Sequence, residues 1–174
     1  MLAIRTARTG RGRHPWSMDS IVLRPLRAGE RSAVLEVFAG LSERSRRLRF
    51  LGSKPRLLES DLAHLVDVGS SSHQAVVAVD RKSGFTVGIA RFVRDEGAPE
   101  AEIAFEVIDG WHGLGFGKQL VTELRALALS QGILRFRALI AHGNLPAFAL
   151  VRGLGEELTR RYEDGNVELV VRLA

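Results

Sequence analysis

A segment of alternating residues passes into a helix-like segment through Asp109-Gly110-Trp111-His112-Gly113-Leu114-Gly115-Phe116-Gly117-Lys118. The residues before it, Ala101 to Ile108, predict a strand, and apolar residues at helical spacing follow it. Glycine permits positive φ and lets other groups approach the backbone closely. A helix N-terminus presents unpaired N–H groups and the positive end of its dipole. A strand, a glycine loop and a helix in this order are therefore suited to binding a phosphate.

The glycine spacing excludes two common phosphate loops. The Walker loop requires a Gly, four residues and then Gly-Lys-Ser/Thr, but here Gly117-Lys118 is followed by Gln119, and His112 stands where the first Gly belongs. The dinucleotide fingerprint Gly-x-Gly-x-x-Gly fails because Lys118 stands where the third Gly belongs. A glycine-rich turn without a ligand remains the alternative.

The rest of the chain predicts alternating groups of strands and helices. Strands are expected at 21–26, 74–79, 85–93, 101–108, 134–141, 156–162 and 167–173, and helices at 28–41, near 44–52 after Ser42 or Ser45, from Ser60 and Asp61, from Leu120 and at 144–151. The order β-α-α-α-β-β-β-α-β-α-β-β predicts one α/β (α+β) domain. Its mixed, mostly antiparallel sheet should have about six to seven strands flanked by helices.

The net charge of +5 lies largely in one segment. Residues 1–17 contain four Arg and no acid, which leaves 21 basic and 20 acidic residues elsewhere. We expect residues 1–17 to be a disordered basic tail and residues 18–174 to be the folded domain. Because the folded part is nearly neutral, a nucleic-acid partner is not expected, although the overall charge keeps that alternative open.

The composition excludes several other classes of protein. The chain has no cysteine, so disulfides, cysteine metal sites and an acyl-cysteine intermediate are excluded. Its five His show no metal-ligand spacing, so no metal is expected. No apolar run approaches the roughly 18 residues of a membrane helix, and no signal peptide is apparent. We expect a cytoplasmic protein without a membrane partner.

The loop resembles the pyrophosphate loop of the GNAT superfamily of acetyl-CoA-dependent N-acetyltransferases, with the pattern Gln/Arg-x-x-Gly-x-Gly/Ala. His112, Gly115 and Gly117 fall on its three defined positions, with His112 in place of Gln or Arg. The resemblance extends from about Ile21 to Leu173 and includes Leu154-Gly155 before the last strands. Residues 42–50 and 74–78 more loosely resemble the acetyltransferase domain of bacterial protein-lysine acetyltransferases.

The resemblance implies a GNAT-like fold that binds acetyl-CoA as a cosubstrate. The cofactor-binding residues that it implies are Val107, Ile108, His112, Gly113, Leu114, Gly115, Phe116, Gly117, Lys118 and Asn144. The backbone around Val107 would bind the pantetheine arm and the developing oxyanion where two strands splay. The family's usual Tyr general acid is replaced by Leu150.

Two acids are the candidates for the catalytic base. Strand alternation places Glu102 and Glu106 on one face with Ala104 and Ile108. A carboxylate near the thioester can take the proton that an amine must lose before it attacks. Glu102 falls where some family members carry their base, and Glu106 is the second candidate. Alternatively, both acids pair with arginines on neighbouring strands, such as Arg91 or Arg137.

We therefore expect an enzyme that transfers acetyl from acetyl-CoA to a primary amine by direct attack. The acceptor could be a small molecule or a protein lysine. An acetyl-CoA-binding sensor or partner module with little turnover is the alternative, and a homodimer is left open. The arginines between Arg44 and Arg49 would either be a solvated helix face or line the acceptor mouth and favour an acidic substrate.

Overall fold

The computed structural model describes residues 20–174, so the predicted tail at residues 1–17 lies outside the described residues. The described residues form seven strands and five helices, in the predicted order β-α-α-α-β-β-β-α-β-α-β-β. Their bounds are β1 Ile21–Pro25, α1 Arg31–Gly40, α2 Glu43–Phe50, α3 Glu59–Val66, β2 His73–Asp80, β3 Thr86–Val93, β4 Glu100–Val107, α4 Phe116–Ser130, β5 Arg135–Ala141, α5 Leu145–Arg152, β6 Gly155–Glu163 and β7 Asn166–Leu173. A short 3-10 helix, Asp109–Trp111, links β4 to the glycine loop.

The strands form one sheet in the order β1-β2-β3-β4-β5-β7-β6. Every neighbouring pair is antiparallel except β4 and β5, which are parallel. The predicted α/β class and mostly antiparallel sheet are confirmed. The single parallel pair lies at the centre of the sheet, where it separates an N-terminal half from a C-terminal half.

Helices cover the two faces of the sheet unequally. On one face, α4 and α5 pack over a large core that includes Phe92, Phe116 and Phe136. On the other face, α1 and α3 pack over Ala75, Val77 and Ile89 of the N-terminal half. We call these the α4 face and the α1 face. The central strands are buried on both sides, which explains why β2 and β3 are almost continuously apolar.

Helix α4 begins at Phe116, four residues before the predicted Leu120, because the helix starts directly after its N-cap Gly115 and not at the first residue of the apolar pattern. Two other helix starts also differ from the sequence-based bounds for local reasons. Helix α1 begins at Arg31, three residues later than predicted, because Gly29 adopts φ +76°, which no helix can contain. Helix α3 begins at Glu59, and Asp61 accepts a hydrogen bond from the N–H of Leu58 at 2.7 Å, so it caps the helix from within the first turn. Within residues 20–174, no helix is long and apolar enough to cross a membrane.

Candidate active site

Strands β4 and β5 separate at the centre of the sheet. They pair at three positions, from Glu100 with Arg135 to Glu102 with Arg137, and no pairing continues toward Val107. The N–H of Ile108 donates to Val87 of β3 at 2.9 Å. Because peptide groups alternate in direction along a strand, those of Val107 point away from β3 and into the gap. The gap therefore exposes the edge of β4 within the sheet.

The glycine loop runs from the end of β4 to the start of α4. Gly113 and Gly115 adopt φ +73° and +86°, respectively, conformations that strain any other residue. Gly115 is the N-cap residue of α4 and has no side chain with which to cap it. Gln119 is the first residue whose N–H reaches back along the helix, to Gly115 at 3.2 Å, so the N–H groups of the preceding three residues lack helical acceptors. The start of α4 therefore presents three backbone N–H groups that can donate hydrogen bonds to a ligand.

Charge at the start of α4 also favours an anion. The first turn contains no acidic residue, and the exposed Lys118 occupies its third position. No described residue forms an ion pair with Lys118. The helix dipole, the free N–H groups and this ammonium group therefore act in the same direction.

Buried neighbours hold the loop in place. Phe116 is 1% exposed, and its ring centroid lies 5.3 Å from that of the buried Trp111. Leu114 is half-buried against the same core. A Cβ on Gly117 would lie 3.1 Å from Cδ1 of Leu150 and 3.9 Å from Cγ2 of Val107. Gly117 therefore allows the start of α4 to pack against the side chains of Leu150 and of Val107, the last residue of β4.

Two of the predicted cofactor-binding residues make contacts within the chain that the sequence did not reveal. The exposed ring of His112 turns back, and its Nε2 lies 2.6 Å from the carbonyl oxygen of Val107. The backbone of Ile108 is fully used, because its N–H donates to Val87 and its carbonyl accepts from Trp111 at 2.9 Å. Ile108 therefore offers no backbone group to a ligand, whereas the N–H of Val107 faces the gap.

Asn144 is the N-cap residue of α5. Its side-chain oxygen accepts a hydrogen bond from the N–H of Ala147 at 3.3 Å. This contact stabilises the start of the helix that brings Leu150 to the loop. The carboxamide nitrogen of Asn144 is the part of the side chain that this cap leaves available.

Glu106 lies on the α1 face in a buried cluster of charges. Its side chain is 8% exposed and pairs with Arg49 of α2, and Nη2 of Arg91 lies 3.9 Å away. Arg91 donates through Nη1 to the carbonyl of Leu65 at 2.7 Å, while its Nε and Nη2 have no hydrogen-bond partner among the described residues. Burial lowers the pKa of Arg91 to about 10, against the opposing effect of Glu106. Two guanidinium groups therefore share one carboxylate.

Glu102 lies on the same face in a very different environment. Its side chain is 60% exposed, and its one described ion pair is with Arg137 at 3.4 Å, a weak exposed contact. It lines an open groove of about 540 Å³ together with Glu100, Arg137 and His64. Strand alternation correctly placed both acids on one face, but only Glu102 is accessible from solvent.

Three features of the charged groups around the site were not predicted from the sequence. The Arg49 partner of Glu106 is 57 residues away in sequence, so no local pattern reveals it. His73 is 7% exposed, and burial together with the nearby Arg91 lowers its pKa to about 4. Burial acts to raise the pKa of Asp109, but hydrogen bonds from Ser42 and Ser45 outweigh it and bring the pKa below its usual value. The apolar run beginning at Gln74 was the one signal that position 73 would be buried.

No group of three or more potential metal ligands comes together in the described part of the chain.

Comparison with known proteins gives consistent matches. The model of the acetyltransferase (GNAT) family matches residues 42–155. An acetyltransferase of Pseudomonas aeruginosa is 27% identical over 165 residues, which cover 94% of this chain and 85% of that protein. The acetyltransferase Pat of Mycolicibacterium smegmatis is 33% identical over 95 residues, which cover 54% of this chain and 28% of that protein. The GNAT domain of the S. lividans protein PAT superposes with a TM-score of 0.77 at 25% identity, covering 87% of this chain and 89% of that domain.

Proposed function

The chain belongs to the acetyltransferase (GNAT) family, and on that premise we propose that it transfers acetyl from acetyl-CoA directly to a primary amine. The acceptor class comprises small-molecule amines and protein lysines. The observation that carries the proposal is the uncapped, cationic start of α4 beside the gap between β4 and β5. A CoA thioester has an anionic pyrophosphate, which suits the helix start, and an extended pantetheine arm, which suits the free strand edge.

The residues around the gap fit the two ends of acetyl-CoA. The N–H groups of the α4 first turn and Lys118 would hold the pyrophosphate, since helix N-termini bind phosphates in this way. The free edge of β4 at Val107 would hydrogen-bond the pantetheine arm as an added strand does. Gly117 lets the start of α4 pack closely against the side chains of Leu150 and Val107. The same edge supplies a donor aimed at the oxyanion that develops on the thioester carbon.

Glu102 is the proposed proton acceptor. Its exposed carboxylate lies at the last paired position of β4 and β5 and lines the groove on the α1 face. Val107 lies roughly 16 Å further along β4, so the proton would pass from the amine to Glu102 through water. Glu106 is buried under α2 and pairs with two arginines, and it can take a proton only if this charge cluster is broken. Of the two candidates, Glu102 therefore fits the task, and Glu106 is proposed to hold α2 to the sheet.

Departure of the thiolate would proceed without a side-chain acid. Leu150 faces the loop where a hydroxyl would be expected, and the only Tyr, Tyr162, is 65% exposed on β6. A free thiol has a pKa near 8.5, so water can protonate the leaving group near neutral pH. The chain has no cysteine, which favours direct attack over a cysteine-linked acyl-enzyme.

Titration calorimetry with acetyl-CoA tests the proposal. Wild-type protein should bind, and Gly115→Trp should abolish binding by filling the helix start. Gly132→Trp is the matched control, because Gly132 follows the other end of α4, has φ +76° and has open space around it. Absence of binding by the wild type at millimolar acetyl-CoA, or equal loss in both variants, would refute the proposed site.

A second candidate function is an acetyl-CoA-binding module with little turnover. The apolar Leu150 beside the loop and the turned-back ring of His112 favour it. Release of free CoA thiol in the presence of a panel of amines separates the two functions. Turnover that depends on Glu102 would exclude the module, and tight binding without thiol release would support it.

A further inference from the structure

Positive charge is concentrated in the segment from Ser42 to Leu58. This segment contains six arginines and lysines and one acid, Glu43. The described residues 20–174 contain 21 basic and 19 acidic residues, so the remainder of the described chain is net negative. We call the segment 42–58 the cationic rim. Its charge is a local feature and not a reflection of an evenly basic protein.

The cationic rim lies at the edge of the candidate active site. Helix α2 packs against both β4 and β5, the two strands that separate. At its start, the N–H of Ser42 donates to the carboxylate of Asp109 at 3.3 Å, immediately before the glycine loop. Near its end, Arg49 pairs with Glu106 of β4. An acceptor approaching the gap from the α1 face therefore passes α2.

Within the described chain, four of the six basic residues in the rim have no acidic partner outside it, whereas Arg49 pairs with Glu106 and Lys54 pairs with Asp61 at 2.6 Å. Arg44 and Arg56 are exposed and form no ion pair with any residue from 20 to 174. Arg47 pairs with Glu43 of its own helix, at 2.8 Å and with both side chains exposed. Arg46 donates to the carbonyls of Phe38 and Pro55, which hold the side chain without cancelling its charge.

The buried layer beneath α2 adds to the positive potential. Glu106 is shared by Arg49 and Arg91, so one of these two charges is in excess. The unpartnered Nε and Nη2 of Arg91 belong to a side chain that is 5% exposed. Low-dielectric surroundings screen this charge less than water would.

We infer that the cationic rim binds an acidic polypeptide segment that carries the acceptor amine. The inference rests on the proposed acetyl transfer and names its substrate class. A positive field at the mouth repels polyamines and lysine-rich segments, and it attracts an amine flanked by carboxylates. Helix α2 has eight residues and is about 12 Å long, and its Arg46 donates to the carbonyl of Pro55, the neighbour of Arg56. The rim therefore presents cations from two adjacent segments, which can pair with several carboxylates of one polypeptide.

Fluorescence anisotropy with two labelled peptides tests this directly. Both peptides carry one central lysine, flanked in one by Asp and Glu and in the other by Asn and Gln. Wild-type protein should bind the acidic peptide about tenfold more tightly at low salt. This preference should vanish near 1 M salt, where the Debye length is about 3 Å. Equal affinity for the two peptides at low salt would overturn the inference.

Charge reversal locates the effect. Arg44→Glu/Arg56→Glu should weaken binding of the acidic peptide about tenfold, because two exposed attractions become repulsions. Arg81→Glu/Arg161→Glu is the matched control, because both arginines are exposed, form no ion pair with any described residue and lie outside the rim, in the turn after β2 and on β6. An equal loss in both double variants would show a general charge effect and refute the cationic rim.

Acetylation assays separate failure of this inference from failure of the proposed function. With acetyl-CoA present, kcat/KM for the acidic peptide should exceed that for the neutral peptide by about tenfold, with similar kcat. If free glutamate or spermine is acetylated faster than the acidic peptide, the acceptor class is wrong although the transferase is confirmed. If calorimetry detects no acetyl-CoA binding, the proposed function fails, and the anisotropy result still decides on the cationic rim.

Discussion

Replacement of Lys118 by Glu should change folding stability and ligand affinity in opposite directions. Lys118 is exposed at the third position of α4, where a cation opposes the helix dipole. An acid at the same position would interact favourably with the dipole and with the free N–H groups of the first turn. If that turn holds the pyrophosphate of acetyl-CoA, the same acid must repel the ligand.

The two effects can be estimated separately. Exchange of an unfavourable cation for a favourable anion at a helix N-terminus should stabilise the fold by about 0.3–1 kcal/mol. For a chain of this size, that raises Tm by roughly 1–4 °C. A carboxylate at position 118 and a phosphate about 6 Å away would repel each other by roughly 3 kcal/mol at an effective dielectric constant of about 20, before salt screening. A loss of about 1–3 kcal/mol of binding energy corresponds to an increase in Kd of roughly 5- to 150-fold.

Thermal unfolding and calorimetry measure the two quantities on the same preparation. Lys118→Glu should melt at or above the wild-type temperature and bind acetyl-CoA more weakly, and high salt should reduce the difference in affinity. Arg27→Glu makes the same change of charge in the exposed loop before α1 and should leave affinity unchanged. An unchanged Kd in Lys118→Glu would refute the placement of the pyrophosphate at the start of α4, whatever happens to Tm.

Three further outcomes follow from the charged groups of the α1 face. Glu102→Gln should lower kcat about a hundredfold and leave the affinity for acetyl-CoA unchanged. The loss in kcat should shrink at high pH, where the amine is already neutral. A full rate at pH 7 would exclude Glu102 as the base. Glu106→Gln should instead lower the free energy of unfolding by about 3 kcal/mol in urea titrations, because it leaves the buried Arg91 and the half-buried Arg49 without a carboxylate. A change below about 0.5 kcal/mol would contradict this role. The pKa of His73 is about 4 when folded, against 6.5 for the ordinary side chain, so the unfolded chain takes up a proton first as pH falls. Stability should therefore drop by about 2 kcal/mol between pH 7 and pH 4.5, and His73→Gln should lose less than the exposed control His142→Gln.

The sequence predicted the order of the elements because most of them carry strong local patterns. The run Gln74 to Val79 is apolar on both faces, and α4 repeats buried residues at helical spacing, so neither depends on distant partners for its identification. The predicted start of α1 was less accurate, because the φ of +76° at Gly29 determines where the helix begins and the apolar pattern does not. The separation of β4 from β5 could not be read from either strand, because it is a property of their pairing.

The candidate site was predictable to the extent that it is built from backbone. Glycine spacing identified the loop, and strand alternation placed Glu102 and Glu106 on one face. Strand alternation could not predict which of the two acids is exposed, because this depends on α2, which covers Glu106 and leaves Glu102 open to solvent. The turned-back ring of His112 likewise depends on a carbonyl that only the folded strand places nearby.

The two faces of the sheet carry different parts of the proposed reaction. On the α4 face, apolar packing of Phe116 and Leu150 fixes the glycine loop. The proposed donors to acetyl-CoA are therefore backbone N–H groups, and they do not depend on which amine is the acceptor. On the α1 face, α2 has no buried residue and is held by hydrogen bonds, aromatic contacts and the pairing of Arg49 with Glu106. Arg44 and Arg56 take no part in this anchoring, and surface substitutions away from anchoring contacts usually change stability little. Acceptor choice can therefore change in the segment 42–58 without disturbing the site for acetyl-CoA, and this separation requires that Arg44→Glu/Arg56→Glu bind acetyl-CoA as the wild type does.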